Sequence, residues 1–133
     1  MKKKKILVLA HKHLVPPTDP GGIDLVNAEW KMEYDIVVTL QEQEHKVELL
    51  GVDDDLQKIH QALARFQPNI VFNLMESFDG VTTFDQNLVS YLELLRVPYT
   101  GCNPRGMTLA RDKSLSKKLL AYHKIPVPEF FVV

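Results

Sequence analysis

Asp112 and Lys113 stand side by side in RDKSLSKKLL, at the head of a run whose Leu115, Leu119 and Tyr122 have helical spacing. A lysine placed there suits an anion. Its ammonium is a mobile point charge, and the N–H groups exposed at a helix start favour negative groups such as phosphate. The same residue also reads as one more cation on a helix carrying Lys117 and Lys118. His11 and His13 flank Lys12. Two histidines with no third ligand nearby in sequence give a weak metal signal and read first as surface histidines. Glu76 and Asp79, in the loop MESFDGVTT, could hold a cation or a substrate amine, or simply face solvent. Ser77 and Ser90 lack the strand–turn–helix setting of a nucleophilic serine. Cys102 reads as a small packed thiol. It is the only cysteine, so no internal disulfide is possible, and a reducing, cytoplasmic setting is expected. Neither GxGxxG nor GxxxxGK(S/T) is present, which removes the usual dinucleotide and P-loop cradles.

The elements that must position these groups follow from periodicity. Residues 6–10, ILVLA, form a continuous apolar run, the pattern of a strand covered on both faces. Residues 11–27 hold three prolines and a Gly-Gly, and so predict a long connection of the kind that is functional or mobile. A helix is expected over 28–44, with Trp30, Tyr34, Val37 and Gln41 on one face and Ile36 and Leu40 beside them. Residues 45–51 alternate and end at glycine, a second strand. Asp53 to Asp55 precede Leu56, Ile59, Leu63 and Phe66 at helical spacing, and Pro68 closes that helix. Residues 69–74 predict a third strand. Phe84, Leu88, Tyr91, Leu92 and Leu95 stripe a third helix, and residues 97–99 a short fourth strand. A last helix carries Leu115 to Tyr122, and a strand is expected to begin at Glu129.

Alternation of this kind specifies an α/β fold, an open parallel sheet with right-handed crossovers and helices on both faces. Such sheets bind ligands beyond the carboxyl ends of their strands. Those ends are residues 11–20, 51–54, 73–80 and 100–105. A chain of 133 residues is one domain's worth, and 45% apolar and 25% charged residues are ordinary for a globule. A net charge of −1 gives no footprint for nucleic acid. The one charge run, Lys2 to Lys5, precedes too short an apolar stretch for a signal peptide or a membrane span.

From residue 68 onward the sequence resembles the ATP-grasp superfamily, and most of all the N-terminal part of D-alanine–D-alanine ligase-like carboxylate–amine ligases. The resemblance is carried by IVFN at 70–73, the helix 84–95 with Gln86 and Glu93, VPYTG at 97–101, DKSLSK at 112–117 and IPVP at 125–128, five weak motifs in the family's order. Residues 28–51 match more loosely. The resemblance implies a Rossmann-like pre-ATP-grasp domain over 1–125 and, over 126–133, the start of an ATP-grasp region. It implies ATP and Mg²⁺ as cofactors of the full-length enzyme, with Lys113 on the ATP phosphates. Asn73, Glu76, Ser77, Gly80, His11 and His13 are the expected contacts to an amino-acid or peptide substrate. No catalytic residue, no metal ligand and no cofactor bound by this chain alone are expected, because the family's adenine-clamping and Mg²⁺-holding parts lie further along. The chain is therefore expected to be inactive in ligation by itself. A homodimer is expected, as is common among relatives. The alternative is a stand-alone, non-catalytic α/β binding or interaction module. Two departures bear on the substrate. The family's GGxSxExxVS motif is replaced by HKHLVPPTDPGG, and its HGxxGEDG loop by NLMESFDG.

Overall fold

The computed structural model describes residues 2–19 and 21–131. It divides into two compact units, Met1–Gly101 and Cys102–Val133. The first unit holds a three-stranded parallel sheet in the order β2-β1-β3, with β1 at Lys5–His11, β2 at Lys46–Val52 and β3 at Ile70–Asn73. Register runs Ile6 to Val47 on one side of β1 and Ile6 to Ile70 on the other. The fourth strand expected at 97–99 is reduced to one parallel bridge between Val71 and Tyr99. Pro98 cannot donate to a ladder, so its carbonyl accepts from Val71 N–H while Thr100 N–H returns to the Val71 carbonyl.

β1 is central because its apolar run has no polar face to show: Leu7, Val8, Leu9 and Ala10 are wholly buried. Leu7, Leu9 and Val71 point to one side, into a core with Ile59, Leu63 and Phe66 of α2 (Leu56–Phe66) and Leu88 and Leu92 of α3 (Asp85–Leu94). Each such side chain contributes about 1.5–3 kcal/mol by leaving water. Phe72 alternates to the other side, beside Ile36 and Leu40 of α1 (Lys31–Glu42). Helices therefore cover both faces, as the alternation requires.

α1 starts later than the expected residue 28. Asp24 Oδ1 accepts from Val26 N–H at 3.0 Å, and Lys31 N–H closes a turn on the Ala28 carbonyl at 3.0 Å. These local bonds compete with helix for the backbone. α1 and α3 end in the same way. Glu44 and Arg96 take positive φ, and the next residue's N–H returns to Leu40 or Leu92. That double closure satisfies the orphan carbonyls of a helix end. Gln67, also left-handed, closes α2 just before Pro68.

In the second unit, Pro104–Arg111 forms a helix, α4, over residues to which the sequence pattern assigns no element; α5 follows at Lys113–Tyr122. Asn103 caps α4 by accepting from Gly106 N–H, and Pro104 fills a first-turn position that needs no donor. Lys124 at positive φ ends α5, and Lys117 Nζ lies 5.0 Å from the Phe130 ring centre. Residues 129–131 form no strand, because an extended segment without a neighbour has no ladder to join; Val132 and Val133 lie outside the described residues.

Candidate functional site

The order β2-β1-β3 contains a topological switch. α1 carries the chain from β1 to β2, and α2 carries it back past β1 to β3. The connection leaving β1 turns toward β2, while the chain leaving β3 leads to the Val71–Tyr99 bridge on the far side of β3, which opens a crevice between the carboxyl ends of β1 and β3. A cleft of about 270 Å³ occupies that edge, lined by His11, His13, Asp53, Asp54, Ser77, Asp79 and Gly80.

Three segments build it. β1 ends at His11, whose Nε2 accepts from Glu76 N–H at 3.2 Å. A short 3₁₀ turn, Lys12–Leu14, comes next and stacks His13 on His11 with ring centres 5.6 Å apart. Lys12 Nζ reaches Asp53 Oδ2 at 3.2 Å, an exposed pair of small energetic weight. β2 then ends in three aspartates with different work. Asp55 caps α2 by accepting from Gln57 N–H at 2.8 Å, whereas Asp53 and Asp54 turn to the cleft. Gly51 lets the turn approach β2, because a Cβ there would lie 2.6 Å from Val15 Cγ2 and 3.0 Å from Lys12 Cα.

The loop after β3 crosses to meet them. Asp79 N–H donates to the Asp53 carbonyl at 3.0 Å. Phe78 and Val81 bond each other through both backbone pairs around Asp79 (φ 52°) and Gly80 (φ 68°). Positive φ at both central residues is the type I′ arrangement, for which Asp-Gly is a favoured pair.

Of the six expected substrate contacts, the cleft gathers His11, His13, Ser77 and Gly80. Asn73 and Glu76 sit beside that lining. Asn73 Oδ1 accepts from Met75 N–H at 3.2 Å and its own N–H donates to Thr100 Oγ1 at 3.0 Å, so it shapes the loop. Glu76 gives its backbone N–H to His11 and keeps its side chain exposed. Lys113 is the first residue of α5 and exposed; Asp112 Oδ1 caps that helix by accepting from Leu115 N–H at 2.8 Å. An ammonium free to move at a helix start fits a phosphate oxygen. Among the described residues no group of three His, Cys, Asp or Glu side chains is placed to hold a metal ion. No helix among them is long and apolar enough to cross a membrane.

One residue near this edge escaped the sequence pattern. Glu33 is 1% exposed, and its Oε2 has no hydrogen-bond partner among the described residues. α1 ends next to the start of β2, where His45 N–H bonds the Leu40 carbonyl and Lys46 N–H the Lys4 carbonyl. Its first turn, with Glu33, therefore lies toward the carboxyl end of the sheet. A buried acceptor without a donor costs about 1–3 kcal/mol. The sequence signal was faint: Glu33 shares the helical spacing of Ile36, Val37 and Leu40.

Known proteins resemble parts of this sequence. A protein of Sinorhizobium fredii described as "Uncharacterized protein y4sG" is 35% identical over 106 residues, 74% of this chain and 30% of that protein. The D-alanine–D-alanine ligase of Azorhizobium caulinodans is 34% identical over 89 residues, 67% of this chain and 27% of the ligase. This chain is a D-alanine–D-alanine ligase-like N-terminal domain of the ATP-grasp superfamily. The corresponding ligase of Coprothermobacter proteolyticus is 31% identical over 98 residues, 74% of this chain and 31% of the ligase. The chain thus spans about 30% of the length of these relatives. No family model matches the sequence, and no solved structure matches it.

Proposed function

We propose that this chain is the N-terminal, substrate-binding part of an ATP-dependent carboxylate–amine ligase. The observation that carries the reading is the cleft at the β1/β3 switch, in a chain whose named relatives are D-alanine–D-alanine ligases. The cleft binds an amino acid or small peptide. Asp53, Asp54 and Asp79 set a field that attracts the substrate's ammonium, and His11 and His13 supply a flat polar wall. Glu33, buried with an unpartnered oxygen toward the same edge, has the chemistry to accept an ammonium N–H that water cannot satisfy.

In the full-length enzyme ATP supplies the phosphoryl group that activates a carboxylate for attack by an amine. Lys113 contributes charge toward the phosphates from the start of α5. Mg²⁺ ligands belong to other parts of that enzyme. The test is calorimetry with ATP and Mg²⁺ on the longest natural chain, native and Lys113→Ala. Loss of one charge-assisted contact of about 1.5–3 kcal/mol weakens ATP about 10- to 150-fold. Equal affinity in the two proteins removes Lys113 from the site. Failure of the native chain to bind ATP at all sinks the ligase assignment in favour of a binding module.

A further inference from the structure

We propose that His11 is a positioning residue that latches the loop after β3 over the cleft, and that it does so only as a neutral imidazole. The latch itself is a matter of geometry; its bearing on substrate binding rests on the ligase assignment. His11 is the last residue of the central strand and half-buried, so its ring is held by the sheet. Its Nε2 accepts the backbone N–H of Glu76, 65 residues away in sequence. An acceptor nitrogen carries no proton, so the neutral ring holds its proton on Nδ1. Protonation puts N–H against N–H at Nε2. The bond then becomes a repulsion, and residues 75–80 lose that side-chain tie to β1, while Leu74 N–H keeps its bond to the Leu9 carbonyl.

The charged groups around the ring give its protonated form a place to go. Lys12 and His13 flank the ring on its own turn, Asp53 and Asp54 reach the cleft from the end of β2, and Glu76 and Asp79 come from the latched loop. Lys12 is engaged with Asp53. Asp54 and Asp79 are thus placed in the same cleft to receive an imidazolium once the Glu76 bond is lost. The acid form is a rearranged loop, still tied by Leu74 N–H to the Leu9 carbonyl and by Asp79 N–H to the Asp53 carbonyl. The sign is fixed: the latch holds at high pH and is released as pH falls.

Nuclear magnetic resonance on the ligand-free 133-residue chain with ¹⁵N-labelled histidine tests this directly. At pH 8 the His11 ring is expected as the Nδ1–H tautomer. On acidification, the Glu76 amide shift tracks the ring with the same midpoint. Its exchange protection, relative to the intrinsic rate at each pH, falls about 2- to 10-fold, the worth of one ordinary hydrogen bond. In His11→Gln that pH dependence disappears, because a side-chain amide can still accept but does not titrate; in His13→Gln it persists. An Nε2–H tautomer at pH 8, or a Glu76 response that survives in His11→Gln, overturns the proposal. Should His11→Gln fail to fold, the tautomer in the native chain decides alone. No ligand enters the experiment, so its failure leaves the ligase assignment standing, and the converse holds.

Discussion

Replacing Gly80 by alanine isolates what the Asp79-Gly80 turn costs the cleft. Nothing lies within 4 Å of a Cβ built on Gly80, so alanine meets no neighbour there. Its φ is 68°, and an L-residue pays about 1–2 kcal/mol for left-handed backbone. Against this, alanine restricts the unfolded chain and recovers about 0.4–1 kcal/mol. The difference is a net destabilisation of about 1 kcal/mol. For a unit of this size that lowers the thermal midpoint by roughly 3–6 °C. The assay is paired thermal and urea unfolding of native protein, Gly80→Ala and Gly80→Asn. Asparagine tolerates the left-handed region better than other side chains, so it is expected to lose less than half as much. An alanine variant within about 1 °C of native, or an asparagine variant that loses more than alanine, would refute the account of the turn as a conformational rather than a steric requirement.

Two further outcomes rest on single residues. Glu33→Met, which keeps the length of the side chain and removes the orphaned oxygen, should raise stability in urea unfolding by about 1 kcal/mol while weakening any amine held at that edge; a loss of stability would mean that Oε2 is satisfied in solution. The carboxyl of Asp24 is held below the ordinary carboxylate range, first by the Asn27 amide and then by the Val26 N–H. A lowered folded pKa means that its contribution is present above the unfolded value and is lost as pH falls through the folded one. The Val26 amide resonance should therefore titrate with a midpoint below that of a free aspartate, and an ordinary midpoint would show the turn to be open.

The frame was legible in the residues because its signals are local. An unbroken apolar run put β1 at the centre, alternation marked β2, and Leu56, Ile59, Leu63 and Phe66 drew the buried face of α2. The aspartates before Leu56 announced a cap, and the structure gives that task to Asp55. α4 was missed although Asn103-Pro104 is a helix-start signature, because the segment is only eight residues long and Gly106 lowers its helix propensity. The cleft could be placed at the strand tips but not furnished. Asp53 and Asp54 were accounted for by α2, and nothing local tells a capping aspartate from its two neighbours. Glu33 was only faintly marked, for a different reason. Burial of a charged residue is decided by the sheet beneath it, and sequence pattern assigns such residues to solvent. The His11 to Glu76 bond spans two strands and two helices, beyond the reach of any periodicity.

The walls of the crevice are joined main chain to main chain: the Asp79 amide meets the Asp53 carbonyl, and Phe78 and Val81 close on each other. Bonds of that kind are indifferent to which side chains their residues carry. Ser77 and Asp54 can accordingly be exchanged for other groups while the architecture around them stays put. A scaffold so built can change its lining by swapping a handful of residues, whereas swaps at His11, Asp79 or Gly80 would also disturb the loop that carries them.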